Sequence, residues 1–355
     1  MIISRTPFRI SFFGGGTDYP VWYEKNGGAT LSTTIDKYCY LMARHYPPFF
    51  PVKHRIVWSK IEAVNSYDEI EHPSAREVLK YLKLKEGVEI HNIADLPARS
   101  GMGSSSAFTV GILHALYGLT NQPVTKLKLA LDAIHVEQNL IKENVGSQDQ
   151  VATSFGGFNK ITFAAGHKIK VYPLEAPLGR LEELNDRLML FFTGFSRTAS
   201  EVAAEWIKSA PKKEKELHAI HEMVSEAIDI LLDANRDIND FGRLLHEAWQ
   251  IKRGLNSAIT TDNIDQIYER ARQAGAIGGK LLGAGQGGFM LIFADPEVQP
   301  RVRQALGNLL HVPFKFERTG SQIIRNGPDF VPDAPMEGNF GPDKIRERGW
   351  GTKKS

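Results

Sequence analysis

Residues 96–119 read LPARSGMGSSSAFTVGILHALYGL. Two glycines and four serines lie between a strand-like apolar run at 88–93 and a helix-like run at 107–116. Backbone N–H groups in such a loop cannot all pair with neighbours, and the following helix turns its positive end to the same place. That combination suits phosphate. Read alone, the stretch is also an ordinary Ser/Gly turn capping a helix. It lacks the Lys-Ser/Thr ending of a P-loop, so a nucleotide phosphate would rest on backbone N–H groups, serine hydroxyls and a metal.

Two further glycine stretches invite chemistry. In FFGGGTDYP (12–20), Gly14, Gly15 and Gly16 remove side chains, so a ligand can approach the backbone. Asp18 offers acceptors that a sugar hydroxyl needs, or it caps the next segment. Gly283-Ala284-Gly285-Gln286-Gly287-Gly288 matches the dinucleotide pattern G-x-G-x-x-G. It follows a helix-like stretch and precedes the strand FMLIF, the reverse of the order a dinucleotide site requires. It reads instead as a tight turn whose glycines let two backbones pack closely.

The elements that must position these loops follow from periodicity. Strands are expected at 2–13, 29–45, 55–59 and 88–93, a helix at 72–84, and a long helix at 124–144. A polar loop, VGSQDQ, leads to a short helix ending at 155, and a hairpin spans 158–172. After a strand at 188–192 the chain turns helical: 199–209, 213–233, 240–255 and 263–274. A strand at 289–293, a helix at 298–309 and a strand at 312–316 complete it. Strands and helices without regular alternation argue for an α+β architecture.

Composition narrows the partners. The 355 residues carry a formal charge of +2, which gives no sign of a nucleic-acid surface. The single cysteine, Cys39, excludes an internal disulfide and a cysteine-built zinc site. No apolar run reaches the ~20 residues of a membrane span, and no signal-peptide pattern opens the chain, so a cytoplasmic protein is expected. A homodimer stays open.

Together the stretches resemble the GHMP kinases, through three motifs in the family's order: TPFRISFFGGGTDY (6–19), PARSGMGSSSA (97–107) and KLLGAGQGGF (280–289). Met102 and Leu282 stand where the family has Leu and Thr. The resemblance implies an α+β fold of two domains. One is of the ribosomal-protein-S5 type over 1–180. The other is ferredoxin-like with extra helices over 181–325, and a polar tail covers 326–355. It implies ATP phosphates on Arg99, Ser100, Gly101, Met102, Gly103, Ser104, Ser105 and Ser106, with Gly285 close by. It implies Mg²⁺ on Ser105 and Glu137, with Glu143 the competitor. Asp149 matches the catalytic aspartate, and Arg9 the arginine beside it, where a guanidinium would stabilise both the carboxylate and the moving phosphoryl charge.

Substrate contacts are expected from Gly14, Gly15, Gly16, Thr17, Asp18 and Tyr19. Galactokinases carry Glu-His where Gly15 and Gly16 stand, so polar contacts are lost and space is gained. The motif is similar to that of the heptose kinase branch, as are LFFTGFSRTAS (190–200) and EAWQIKRGL (247–255). The implied reaction is ATP-dependent phosphorylation of the anomeric hydroxyl of a heptose 7-phosphate, for nucleotide-heptose synthesis toward lipopolysaccharide or capsule. The substrate's own phosphate needs cations, for which Arg197, Lys252, Arg253 and Arg99 are available. The alternatives are a free-sugar kinase of fucokinase or galactokinase type, and a sugar/ATP sensor without catalysis.

Overall fold

The computed structural model describes residues 1–194, 213–256 and 259–326. Arg197 and the expected helix at 199–209 lie outside the described residues.

In chain order the elements are β1 (Ile2–Phe13), α1 (Pro20–Asn26), β2 (Gly28–His45), β3 (His54–Val57), β4 (Ile61–Val64), α2 (Pro73–Leu82), β5 (Val88–Ala94), α3 (Ser104–Leu119), α4 (Lys126–Ile134), α5 (Gln148–Phe155), β6 (Phe158–Ala164), β7 (Lys168–Pro173), α6 (Arg180–Asp186) and β8 (Leu188–Gly194). They continue with α7 (Glu214–Leu232), α8 (Asn239–Leu255), α9 (Asp262–Gln273), β9 (Gly278–Leu281), β10 (Gly288–Phe293), α10 (Gln299–Ala305), β11 (Leu310–His311), β12 (Phe316–Glu317) and β13 (Gln322–Asn326).

β1 and β2 form the spine of a nine-stranded sheet ordered β13-β1-β2-β5-β3-β4, with β6 and β12 also on β2 and β7 on β6. The β1–β2 register shifts between Pro7 and Arg9 and again between Ser11 and Phe13. Such irregularities re-aim side chains, and here they bracket Arg9. α3 lies on β1 and β2 and is buried on nearly every side, which explains its all-round apolar sequence. A second sheet runs β11-β8-β10-β9, wholly antiparallel. One continuous core joins the sheets: Phe12 stacks on Phe158 at 5.4 Å and meets Phe241 of α8 edge-on, also at 5.4 Å.

Several expectations need correction. The long helix at 124–144 is α4 followed by a π-helical stretch, His135–Ile141. The glycine turn at 283–288 does not follow a helix; it joins β9 to β10 as antiparallel neighbours. β9 escapes a periodicity search because half of its four residues are glycine. The chain also returns home: β12 pairs with β2 and β13 with β1. The second sheet therefore lies within 188–311, and residues 316–326 belong to the first.

Candidate active site

The three motifs meet in one cleft of about 380 Å³. Arg9 is its anchor. The β1 register places the guanidinium against Asp149 in the first turn of α5, with Nε donating to Oδ1 at 2.7 Å and Nη2 to Oδ2 at 2.6 Å. Nη1 donates to the Gly101 carbonyl at 2.7 Å, and the Arg9 backbone N–H to the Met102 carbonyl at 3.1 Å. This two-bond fork fixes the carboxylate in position and plane. Asp149 remains 23% exposed at its side chain, open to the cleft.

α3 begins at Ser104, with Gly103 left-handed (φ 74) as its cap and no side chain on its first N–H groups. The loop before it is held by glycine-to-glycine packing. A Cβ on Gly101 would lie 2.4 Å from the Leu282 carbonyl oxygen, one on Gly283 2.4 Å from Gly101 Cα, and one on Gly288 2.4 Å from the Ser100 carbonyl oxygen. The dinucleotide-like run of the third motif is thus a mould for the second, the close backbone packing expected of it.

The expected phosphate-loop residues divide. Arg99, Gly101, Gly103, Ser104, Ser105, Ser106 and Gly285 line the cleft. Ser100 and Met102 face inward: both are fully buried, and the Ser100 hydroxyl donates to the Pro97 carbonyl. The acceptor loop divides likewise. Gly15, Gly16, Asp18 and Tyr19 line the cleft. Gly14 is pressed against the Ala29 carbonyl, and Thr17 donates to the Gly14 and Ala29 carbonyls, so both serve the loop's shape. Asp18 is 1% exposed; its oxygens accept the N–H of Gly16 at 2.9 Å and of Gln148 at 3.3 Å. Burial, with Asp149 nearby, raises its carboxyl to about 6.

Glu137 lies in the π-helical stretch, fully buried behind the cleft wall. Its Oε2 accepts the Ser106 hydroxyl at 2.9 Å and the Gln150 amide. The serine against it is therefore Ser106, whereas Ser105 is exposed on the cleft side. Glu137 Oε1 is buried without a hydrogen-bond partner. Burial raises this carboxyl to about 7, only partly offset by its donors. Glu143 lines the cleft directly, its carboxyl also pushed up by burial.

Of the cations expected to face a substrate phosphate, Lys252 and Arg99 line the cleft. Arg253, one residue on, turns away to Asp265 (3.1 Å) and Gln250 (2.7 Å). Sequence reasoning missed Lys280, Ser11, Gln148 and Gln150, all cleft-lining. Signals existed: Ser11 is two residues from Arg9, on the same strand face, and the glutamines flank Asp149.

Comparison with known proteins agrees with this geometry. Residues 72–157 match the family model for the GHMP kinases N terminal domain and 223–311 that for GHMP kinases C terminal. A D-glycero-alpha-D-manno-heptose 7-phosphate kinase from Campylobacter jejuni is 31% identical over 323 residues, covering 86% of this chain and 93% of the relative. An L-fucokinase/L-fucose-1-P guanylyltransferase from Bacteroides fragilis is 26% identical over 86% of this chain, but only 36% of that longer protein is matched. The crystal structure of a D-glycero-D-manno-heptose 1-phosphate kinase from Bacteroides thetaiotaomicron superposes with a TM-score of 0.75 at 24% identity, covering 92% of this chain and all of the other. With its motifs assembled around an arginine-held aspartate and most of its length shared with such a relative, the chain belongs to the GHMP kinases and is a phosphotransferase of the sugar-kinase type.

Proposed function

We propose that the enzyme transfers the γ-phosphoryl group of ATP to the anomeric hydroxyl of D-glycero-D-manno-heptose 7-phosphate, giving the 1,7-bisphosphate for nucleotide-heptose synthesis. The observation that carries the reading is the position of Asp149: it faces a cleft with the α3 N-terminus on one wall and the Gly15–Gly16 stretch on another. The triphosphate rests on the N–H groups of α3's first turn. The sugar lies along 15–19. Its hydroxyl oxygen bonds to the γ-phosphorus as the bond to the β–γ bridging oxygen breaks; ADP leaves, and the hydroxyl proton passes to Asp149.

Gly15 supports a large acceptor. It has no positive φ, and a Cβ there would meet nothing closer than Gln148 Nε2 at 3.6 Å. The fold does not demand glycine at 15; the missing side chain leaves room for a ligand. The unpartnered, buried Glu137 Oε1 fits a cation, so Glu137 and a serine of α3's first turn, Ser105 or Ser106, are the residues to hold Mg²⁺. When bound, Mg²⁺ offsets the charge of the phosphates. Arg99 is the described cation available to the sugar phosphate outside the Arg9 neighbourhood.

ADP release measured with heptose 7-phosphate, free heptose, mannose, fucose and galactose tests the reading. Heptose 7-phosphate is expected to give the highest kcat/KM. Equal or better turnover of a free sugar would replace it with the free-sugar kinase reading.

A further inference from the structure

Arg9, Lys252 and Lys280 stand in the cleft wall around Asp149, and among the described residues only Arg9 of these three has an acidic partner. Lys252 Nζ donates to the carbonyls of Gly283 at 2.6 Å and Leu281 at 3.2 Å. Lys280 Nζ donates to the Phe12 carbonyl at 2.6 Å and is 7% exposed. Among the described residues neither lysine has an ion-pair partner. Each cation is moored to a different motif: Arg9 to Gly101 of the second, Lys252 to Gly283 of the third, Lys280 to Phe12 of the first.

Burial and the nearby Arg9 lower the Lys252 amine to about 8; burial, then Lys252 and Arg9, push Lys280 well below the usual lysine range. The other charged groups facing this cleft are Asp18, Arg99, Glu143 and Asp149. Asp149 is already taken by Arg9, and Asp18 accepts two backbone N–H groups. Buried amines beside a third cation, bonded only to neutral carbonyls, lack an anion. A mooring role alone would be served by a neutral donor without the repulsion.

We propose that Lys280 and Lys252, with Arg9, form the cradle of the phosphoryl group in flight between the α3 N-terminus and Asp149, and that its arrival is accompanied by proton uptake on the lysines. The inference rests on phosphoryl transfer at this cleft and not on which sugar accepts. The incoming anion supplies the missing counter-charge and raises the depressed amines toward the usual lysine range, so the ammonium form gains in the complex. The charge then appears where the transition state needs it. Lys252 is thereby assigned to the transferred group and not to the phosphate the sugar brings.

Isothermal titration calorimetry of the full chain tests this at pH 8 with Mg²⁺ and either the β,γ-imido analogue of ATP or ADP, in two buffers of different ionisation enthalpy. The parent enzyme is expected to take up protons with the imido analogue and fewer with ADP. Lys280→Met and Lys252→Met are each expected to weaken the imido analogue by ~10-fold or more while changing ADP by less than ~2-fold, and to lower kcat by about 10²-fold. Equal weakening of both nucleotides would assign the lysines to loop mooring and overturn the proposal, as would unchanged affinity. A loss confined to heptose 7-phosphate binding, with free heptose unaffected, would move the cradle to the sugar's phosphate. The uptake measurement needs no variant: its absence in the parent overturns the proton step even where a variant fails to fold.

Discussion

At the scale of single residues the site is a set of side chains each fixed by a second group, and the consequences of removing them differ. Asp149→Asn keeps the size of the side chain but removes the proposed proton acceptor and the anionic partner of Arg9; kcat is expected to fall by about 10²–10⁴-fold. Near-parental turnover would remove Asp149 from the mechanism. Gly15→Leu fills space the backbone leaves open, so the KM for the sugar is expected to rise by ~10-fold or more with the KM for ATP unmoved; an equal rise in both would place position 15 on the nucleotide side. The sequence made Asp149 and Arg9 visible because motif and chemistry coincide there. Gly14, Thr17, Ser100 and Met102 belong to the same motifs but are buried and do not line the cleft, and adjacency in a motif does not separate residues that pack from residues that face a ligand. Lys280 heads the third motif, but nothing in the local pattern gives it a role in the site. A lone lysine at the head of a glycine turn has no periodic partner, and only the fold brings it to Arg9 and Lys252.

At the scale of elements, the loop before α3 owes its shape to the β9–β10 turn. Gly101 has φ +80 and no room for a Cβ. Gly101→Ala is expected to cost about 2–3 kcal/mol and to raise the KM for ATP together, because loop and turn cannot separate without opening the cleft. A stable variant with parental KM would show that the interlock is dispensable. A second element-scale effect lies on the flank built by β3 and β5. His54, 1% exposed, is pushed by burial down to about 4. The unfolded chain binds that proton near pH 6.5 and the folded one does not until about 4. Its stabilising contribution is therefore complete above pH 6.5 and lost as pH falls toward 4. Urea unfolding of the parent and of His54→Gln at pH 7 and pH 4.5 is expected to show the gap between them narrow by about 2 kcal/mol on acidification; a constant gap would mean His54 does not titrate in this range. Most long elements were legible from periodicity. β9, α1 and α6 were not: two glycines blank the pattern in the first, and seven residues give the helices too little length to repeat.

At the scale of the whole molecule, two sheets share one core. Phe12 and Phe13 of β1 meet Phe241 of α8 at 5.4 and 5.2 Å. Heat is expected to unfold the two parts in a single transition by calorimetry; two resolved transitions would show that the shared core does not couple them. Sequence composition marks a change near 180 from strand-rich to helix-rich chain, yet it cannot show a return crossing, since pairing partners over 300 residues apart leave no local trace. That crossing has a consequence for how the protein is made. Ile2 pairs with Asn326 and Arg5 with Gln322, so once β1 has left the ribosome this edge stays open until nearly all the described chain has been synthesised. Throughout translation β1 offers unsatisfied N–H and C=O groups to other nascent chains. Chains stalled after residue 315 should therefore be more prone to association and protease cleavage than chains stalled beyond 326, and the cell's chaperones should meet this protein at β1.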